Sequence, residues 1–548
     1  MFKLLKFLLG TIVFIIITGG YKFQIGKAKV DLTNTDVPGL LFLLLISIGY
    51  IFKLEYFLKI KKFMLVWYAK ITEEKNSRSL FNITLLYLTV TTFLGHVFKQ
   101  YSFQSHGLDQ VFIHQPLFYP WFKEKLLFCS VCPNNTFFGE HINFTFLLVA
   151  PLTSLFKSDI LVFLINVFLL YGGMYLLITK GPLRNKANYW FVSLLILCSA
   201  RTYRNAGIWD LREDHFAFFF MVLALIAIYR KNISIYFMSV VLVLISKENM
   251  SYLVPFLIFP LLLEKDLDYS KKARVYLSLG TVMLSLIWMK LSFAYVFPYF
   301  NNNMPPSANI VDRFDGIAKS TGELVIKILT DYHVQKKLIV ERVLTVGGIK
   351  YVAILLLPFL ISCRKRWYWI IAASPIIGMN LLSYAGTQKM MIFHYDLVII
   401  PILSMGVLYA IKNHDKYLPV YLLAALMVSG RWPSQYLSKN VPSGTTYNKV
   451  KFLKSIDTKE RVCTSWKNLA YLSHLEDVCV LTFNSLTRED FYKENYDRAY
   501  YGGAVKKDSL LIIDLSEQKQ ASIYKIIRKE YLVIKESPTL LLLRPVAF

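Results

Sequence analysis

Apolar residues run along this chain in long blocks, many of them close to the ~20 residues an α-helix needs to cross a bilayer. Polar residues are gathered in the gaps between blocks. The pattern predicts thirteen spans, near residues 4–20, 38–53, 80–97, 159–178, 188–203, 216–230, 233–247, 249–264, 274–296, 349–363, 367–385, 395–412 and 416–430. Lipid offers no partner for a bare N–H or C=O, so such segments are expected as helices. The first block follows Lys3 and Lys6 and lacks a small-residue cleavage site, which reads as a retained anchor. Residues 144–156 are apolar but short and contain Pro151, so they are expected as a half-buried helix at the outer face.

From about residue 431 the pattern changes. Apolar runs shorten to strand length at Arg461–Ser465, Val478–Thr482, Ser509–Asp514, Tyr531–Lys535 and Thr539–Arg544, with helical segments at Lys467–His474 and Ala521–Glu530. Strands alternating with helices predict a small α/β domain with a partly parallel sheet. The expected fold is thus an all-α polytopic membrane domain over 1–430, with outer loops 98–143 and 297–348, followed by an extracytoplasmic α/β domain over 431–548. Loops of that length in a compact fold are commonly functional.

Charge fixes the orientation. Lys and Arg number 62 against 36 Asp and Glu, a net charge of +26, yet only 18% of residues are charged. The basic residues cluster between apolar blocks at Lys53–Arg78, Lys180/Arg184/Lys186, Arg230/Lys231, Lys271/Lys272/Arg274 and Arg364/Lys365/Arg366. With those clusters facing the cytoplasm, the N-terminus is inside and the C-terminal domain outside. The excess charge is therefore assigned to topology and anionic lipid, and nucleic acid is not expected as a partner. Of six cysteines, Cys198 and Cys363 fall in predicted spans, Cys129 and Cys132 read as an incidental pair, and Cys463 and Cys479 occupy matching places in two strands. The last two are read equally well as a disulfide or as buried thiols.

Ionisable residues gather at the outer ends of the spans: Asp109; Glu140 and His141; Arg201 and Arg204, leaving one span, with Asp210, Arg212, Glu213, Asp214 and His215, leading into the next; Lys247 and Glu248; His394, Tyr395 and Asp396. Any one cluster reads equally well as a helix cap or a snorkelling side chain. Five clusters on one face point to an outward-facing site.

The order Asp109…Phe138-Gly-Glu-His141, Asp210-Leu-Arg-Glu-Asp214, Ser246-Lys-Glu248 and His394-Tyr395 resembles the membrane family called domain of unknown function 2079, from about residue 80 onward. That family looks like a branch of the GT-C membrane glycosyltransferases, which use polyprenyl-phosphate-linked sugars. The resemblance implies a bacterial or archaeal cytoplasmic-membrane enzyme that moves a sugar to an envelope acceptor, with Asp109 as base. It implies donor or phosphate contacts from Lys247, Glu248, Arg201, Arg204, Arg212, Asp210, His394 and Tyr395. Glu140, His141 and Asp214 are assigned to acceptor orientation or to a divalent cation. This chain departs from the family pattern at His114, where a second Asp is frequent, and at Arg212 and Asp214, where His and Glu are frequent. The alternatives are a transporter or flippase for a lipid-linked substrate, against which the lack of an inverted repeat counts, and a non-catalytic scaffold that binds glycan lipid.

Overall fold

The structure is a computed structural model. It describes the chain except residues 1, 19, 21, 26–27, 32–34, 53, 302–312, 315–316, 319–320, 361–365, 385, 392–393, 414–417, 428, 430–431, 484–486, 494, 496–504, 507 and 547–548. Cys363 therefore lies outside the described residues. The chain divides into two compact units, one of Met1–Gly95, Asn166–Met289 and Asn309–Lys439, the other of His96–Ile165, Lys290–Ala308 and Asn440–Phe548.

Helices dominate, and among the described residues three are long and apolar enough to cross a membrane: Glu74–Tyr101, Asp159–Lys180 and Lys271–Phe300. Most other predicted spans form shorter apolar helices, such as Ile233–Ser246, Tyr368–Leu382 and Ile399–Lys412. A fourteen-residue helix rises only about 21 Å, against a hydrocarbon core of about 30 Å. Length alone therefore supports fewer crossings than the thirteen expected.

The helix Lys271–Leu291 has two unlike faces. Tyr276, Leu279, Met283 and Leu286 recur every three or four residues on an exposed stripe, while Ser278, Thr281 and Ser285 are buried. Apolar outside and small polar inside is the pattern of helices packed within a bilayer, and the Tyr236 hydroxyl meets Thr281 Oγ1 at 2.8 Å. The basic stretch expected as a plain cytoplasmic link instead contains a helix, Glu55–Ile71, whose Ile60 packs against Leu5, Leu8 and Phe42. Arg366, expected only as a cytoplasmic charge, bridges Glu264 and Asp266, and Tyr368 and Trp369 each donate to Glu264 at 3.0 Å. Such a buried carboxylate is tolerable because its lone pairs are filled.

The second unit contains a five-stranded sheet in the order Val478–Leu481, Val462–Ser465, Leu510–Asp514, Leu540–Pro545, Tyr531–Glu536. The first three strands run parallel and the last two add antiparallel. Leu511, Ile513, Ile523, Ile527 and Leu543 fill its core. Cys463 is the register partner of Cys479, and the two form a disulfide with 4.5 Å between Cα atoms. Cys129 and Cys132, expected as an incidental pair, are also bridged, because the turn between them brings their Cα atoms to 5.3 Å. The Cys463–Cys479 bridge closes a loop sixteen residues long in sequence separation. A loop of that order contributes about 3 kcal/mol, so replacing both cysteines with Ala should lower unfolding stability by that amount. Peptide mapping without reductant checks the bridge, and denaturant titration checks its contribution.

Candidate functional site

The polar centre of the first unit is built by a helical hairpin. Glu213–Tyr229 leaves with Glu213 and Asp214 in its first turn, where the helix dipole favours acidic groups. The chain turns, Asn232 caps Ile233–Ser246 through a bond from Ile235 N (3.0 Å), and the second helix returns over nearly the same length. Lys247, in extended backbone just past its end, thus arrives beside the start of the first. Its ammonium lies 2.7 Å from Asp214 Oδ2 and 2.9 Å from Glu213 Oε1, with all three side chains nearly fully buried. Lys247, expected as a phosphate contact, is thus ion-paired with two carboxylates.

The network extends further. His394 Nε2 stands 3.4 Å from Asp214 Oδ2. Burial, with Arg212 and Lys247 close by, holds the His394 imidazole well below its usual pKa, so it is neutral at pH 7. Nearby, Asp396 accepts from Tyr351 (2.6 Å) and Asn380 (2.7 Å). Glu213, Asp214 and His394 offer ligand atoms within 4.8 Å of one another, the geometry of a small cation site. They do not fit a divalent cation as they stand, because the Lys247 ammonium already occupies the position between the carboxylates. Glu213 was not among the assigned site residues, although it adjoins Asp214. Asp210 is buried in the link before this helix, and Glu248 is buried beside Lys247.

Arg204 was also expected as a phosphate contact. It is fully buried, donates to the carbonyls of Ser199 and Ser429, and lies 4.6 Å from the centre of the Trp432 ring. Arg201, on the same helix Arg201–Ile208, instead lines a cavity of about 760 Å³ together with Arg342, Lys350, Lys389, Tyr351 and Glu341. Among the described lining residues, four are basic and one carries a carboxylate. Partial burial and the neighbouring Arg342 lower the Lys389 pKa from its usual value, as expected where cations crowd. Arg342 also lies over the Tyr384 ring at 4.5 Å. Tyr351 belongs both to this wall and, through Asp396, to the buried network. Tyr395, half-buried, has Arg313 at 6.0 Å from its ring. Sequence reasoning did not select Arg342, Lys350 or Lys389. Their signal was that they are basic residues in stretches expected at the outer face, where the charge rule leaves few.

Asp109, Glu140 and His141 belong to the second unit. The outer loop expected from residue 98 is not a plain loop, since it contains the helix Gly107–Phe118, which carries half-buried Asp109 in its first turn. Glu140 and His141 follow the short helix Phe137–Gly139 and donate their backbone N–H groups to the Phe137 carbonyl. Neither joins a three-ligand cluster among the described residues. His114 is wholly buried, with Nδ1 2.8 Å from Asp159 Oδ1, while Lys454 reaches Asp159 Oδ2 at 2.6 Å. Burial opposes the Lys454 charge, and the Asp159 carboxylate more than offsets it, so its pKa is raised.

A family profile described as "Predicted membrane protein (DUF2079)" matches residues 64–489. No curated protein matches the sequence. Among solved structures, the crystal structure of ArnT from Cupriavidus metallidurans in the apo state is similar over 85% of this chain and 97% of that chain. The identity is 11% and the TM-score 0.46, too loose to carry a residue correspondence.

Proposed function

The chain belongs to the DUF2079 family of predicted membrane proteins, and on that premise we propose that it is a GT-C-type membrane glycosyltransferase. It transfers a sugar from a polyprenyl-phosphate-linked donor to an envelope acceptor at the outer face of the membrane. The cationic cavity carries this reading. About 760 Å³ lined by Arg201, Arg342, Lys350 and Lys389 is far more than a simple ion fills, and within the ~300–1,000 Å³ usual for small-molecule sites. Guanidinium and ammonium groups suit phosphate oxygens.

In the reaction, the Asp109 carboxylate takes the proton from the acceptor hydroxyl. The acceptor oxygen bonds to the anomeric carbon as the bond from that carbon to the phosphate oxygen breaks. The electron pair leaves with polyprenyl phosphate, whose charge basic groups stabilise. The buried Lys247, Glu213, Asp214 and His394 hold the shape of the first unit. The two disulfides support an outer-side location for the second unit, since such bridges persist in oxidising compartments.

The double variant Arg342→Ala/Lys389→Ala, in lipid nanodiscs, should bind polyprenyl phosphate at least tenfold more weakly, because each lost charge-assisted bond removes about 1.5–3 kcal/mol. Unchanged binding removes the cavity from this assignment. A deletion strain whose envelope glycans and glycolipids match wild type would sink the transferase reading altogether.

A further inference from the structure

The C-terminal sheet has a topological switch point. Val462–Ser465 lies between two parallel neighbours, Val478–Leu481 on one side and Leu510–Asp514 on the other, so successive connections leave its carboxyl edge in opposite directions. In open α/β sheets this edge is where ligands usually bind. Here the protein's own chain lies against that edge. A Cβ placed on Gly107 would lie 1.8 Å from the Trp466 carbonyl oxygen and 3.1 Å from Lys467 Cα, so the helix Gly107–Phe118 begins in backbone contact with the turn that follows Val462–Ser465. Phe103, just before it, stacks on Tyr471 with ring centres 4.8 Å apart and planes 5° from parallel. Lys449 covers the Phe103 ring at 5.4 Å and donates to Asp514 Oδ2 (2.6 Å) and Ser516 Oγ (2.7 Å) at the end of the neighbouring strand.

The far end of the helix is held as well. Gln115 Nε2 donates to the Leu475 carbonyl at 2.8 Å, and Gln115 Oε1 accepts from Ser130 N at 2.8 Å. The Tyr119 hydroxyl donates to the His474 carbonyl. Gln115 is completely buried, so each of these bonds is costly to break.

We propose that the C-terminal domain is a clamp for the Asp109 helix: its carboxyl-edge crevice takes the protein's own 103–109 segment in place of a small ligand, and Gly107 and Lys449 are positioning residues for the Asp109 carboxylate. The functional half rests on Asp109 as the base. Asp109 sits two residues beyond the Gly107 contact, so any side chain at Gly107 displaces it. Ordinary carbon–oxygen contact is about 3.3 Å, which makes the required shift more than about 1 Å, and a misplacement of 1 Å can cost about 10²-fold in rate.

The test uses the full-length protein in nanodiscs, as Gly107→Ala and, in case that variant folds poorly, Lys449→Gln. Amide hydrogen exchange across 107–118 should quicken at least tenfold while exchange at Leu510–Asp514 is unchanged. Sugar transfer in membranes of the deletion strain should fall about 100-fold in kcat for Gly107→Ala and about tenfold for Lys449→Gln. KM for the lipid donor should stay within twofold, and Lys449→Arg should restore kcat. Unaltered exchange in both variants overturns the clamp, whatever the activity. Faster exchange with unchanged kcat overturns the positioning role. Asp109→Asn in the same assay separates the two readings, since full turnover there rejects the base while the exchange result still decides the clamp.

Discussion

Asp109→Asn should lower sugar transfer by about 10²–10⁴-fold, the span a positioned base supplies, while thermal unfolding should stay within about 0.5 kcal/mol of wild type, as for a surface change. The amide is close to isosteric, and the side chain is only half-buried in the first turn of its helix. What the variant lacks is the carboxylate assigned to accept the proton. The loss should appear in kcat, with donor binding retained, because the donor's phosphate is assigned to other residues. Rates from a radiolabelled lipid-linked sugar, beside melting curves of the same preparation, check both halves. A transporter needs no such base, so undiminished lipid flux in the variant, with no transfer in wild type, would favour transport.

Lys247→Met carries the second large effect, and it falls on folding. Glu213 and Asp214 are 0% and 1% exposed, and the Lys247 ammonium pairs with both. Removing one partner of a buried charge cluster costs about 3–5 kcal/mol, because the remaining charges stay desolvated without compensation. With total stabilities of about 5–15 kcal/mol, the variant should express poorly and unfold at much lower denaturant concentration. Adding Glu213→Gln and Asp214→Asn to Lys247→Met should recover much of the loss. Chelators should leave wild-type stability unchanged, since Lys247 fills the cation's place. A chelator-induced drop in melting temperature would show that a metal competes for this position.

The helical character and the strands of the C-terminal domain were legible because they depend on local pattern. Val462–Ser465, Val478–Leu481, Leu510–Asp514 and Leu540–Pro545 each fall within a residue or so of the expected strand. The meeting of Asp214, Lys247 and His394 was foreshadowed by their shared position at helix ends. Other features were hidden for physical reasons. Gly107–Phe118 contains Pro116 and buries ten of its twelve residues, so it shows neither an uninterrupted helical pattern nor an amphipathic face. Glu55–Ile71 was masked by its lysines, which read as a linker although Ile60 is buried. The contact of Gly107 with Trp466 joins residues separated by hundreds of positions, and nothing local in either segment announces it. Arg204 and Arg201 are three residues apart on one helix, yet one is buried on Trp432 and the other lines the cavity; only packing distinguishes them.

The second unit draws on three separate stretches of chain, His96–Ile165, Lys290–Ala308 and Asn440–Phe548. During synthesis the first stretch therefore emerges long before the last. At about 5–20 residues per second, the Asp109 helix waits on the order of tens of seconds for the strands that it will pack against. Through that interval Gln115, Tyr119 and Ser130 lack their partners at Leu475, His474 and Val478. Biogenesis should accordingly depend on help from insertion and quality-control machinery, and a nonsense codon anywhere past Asn440 should affect residues already laid down near Asp109. Truncated chains would then be cleared by proteolysis as incomplete, long before any question of turnover arises.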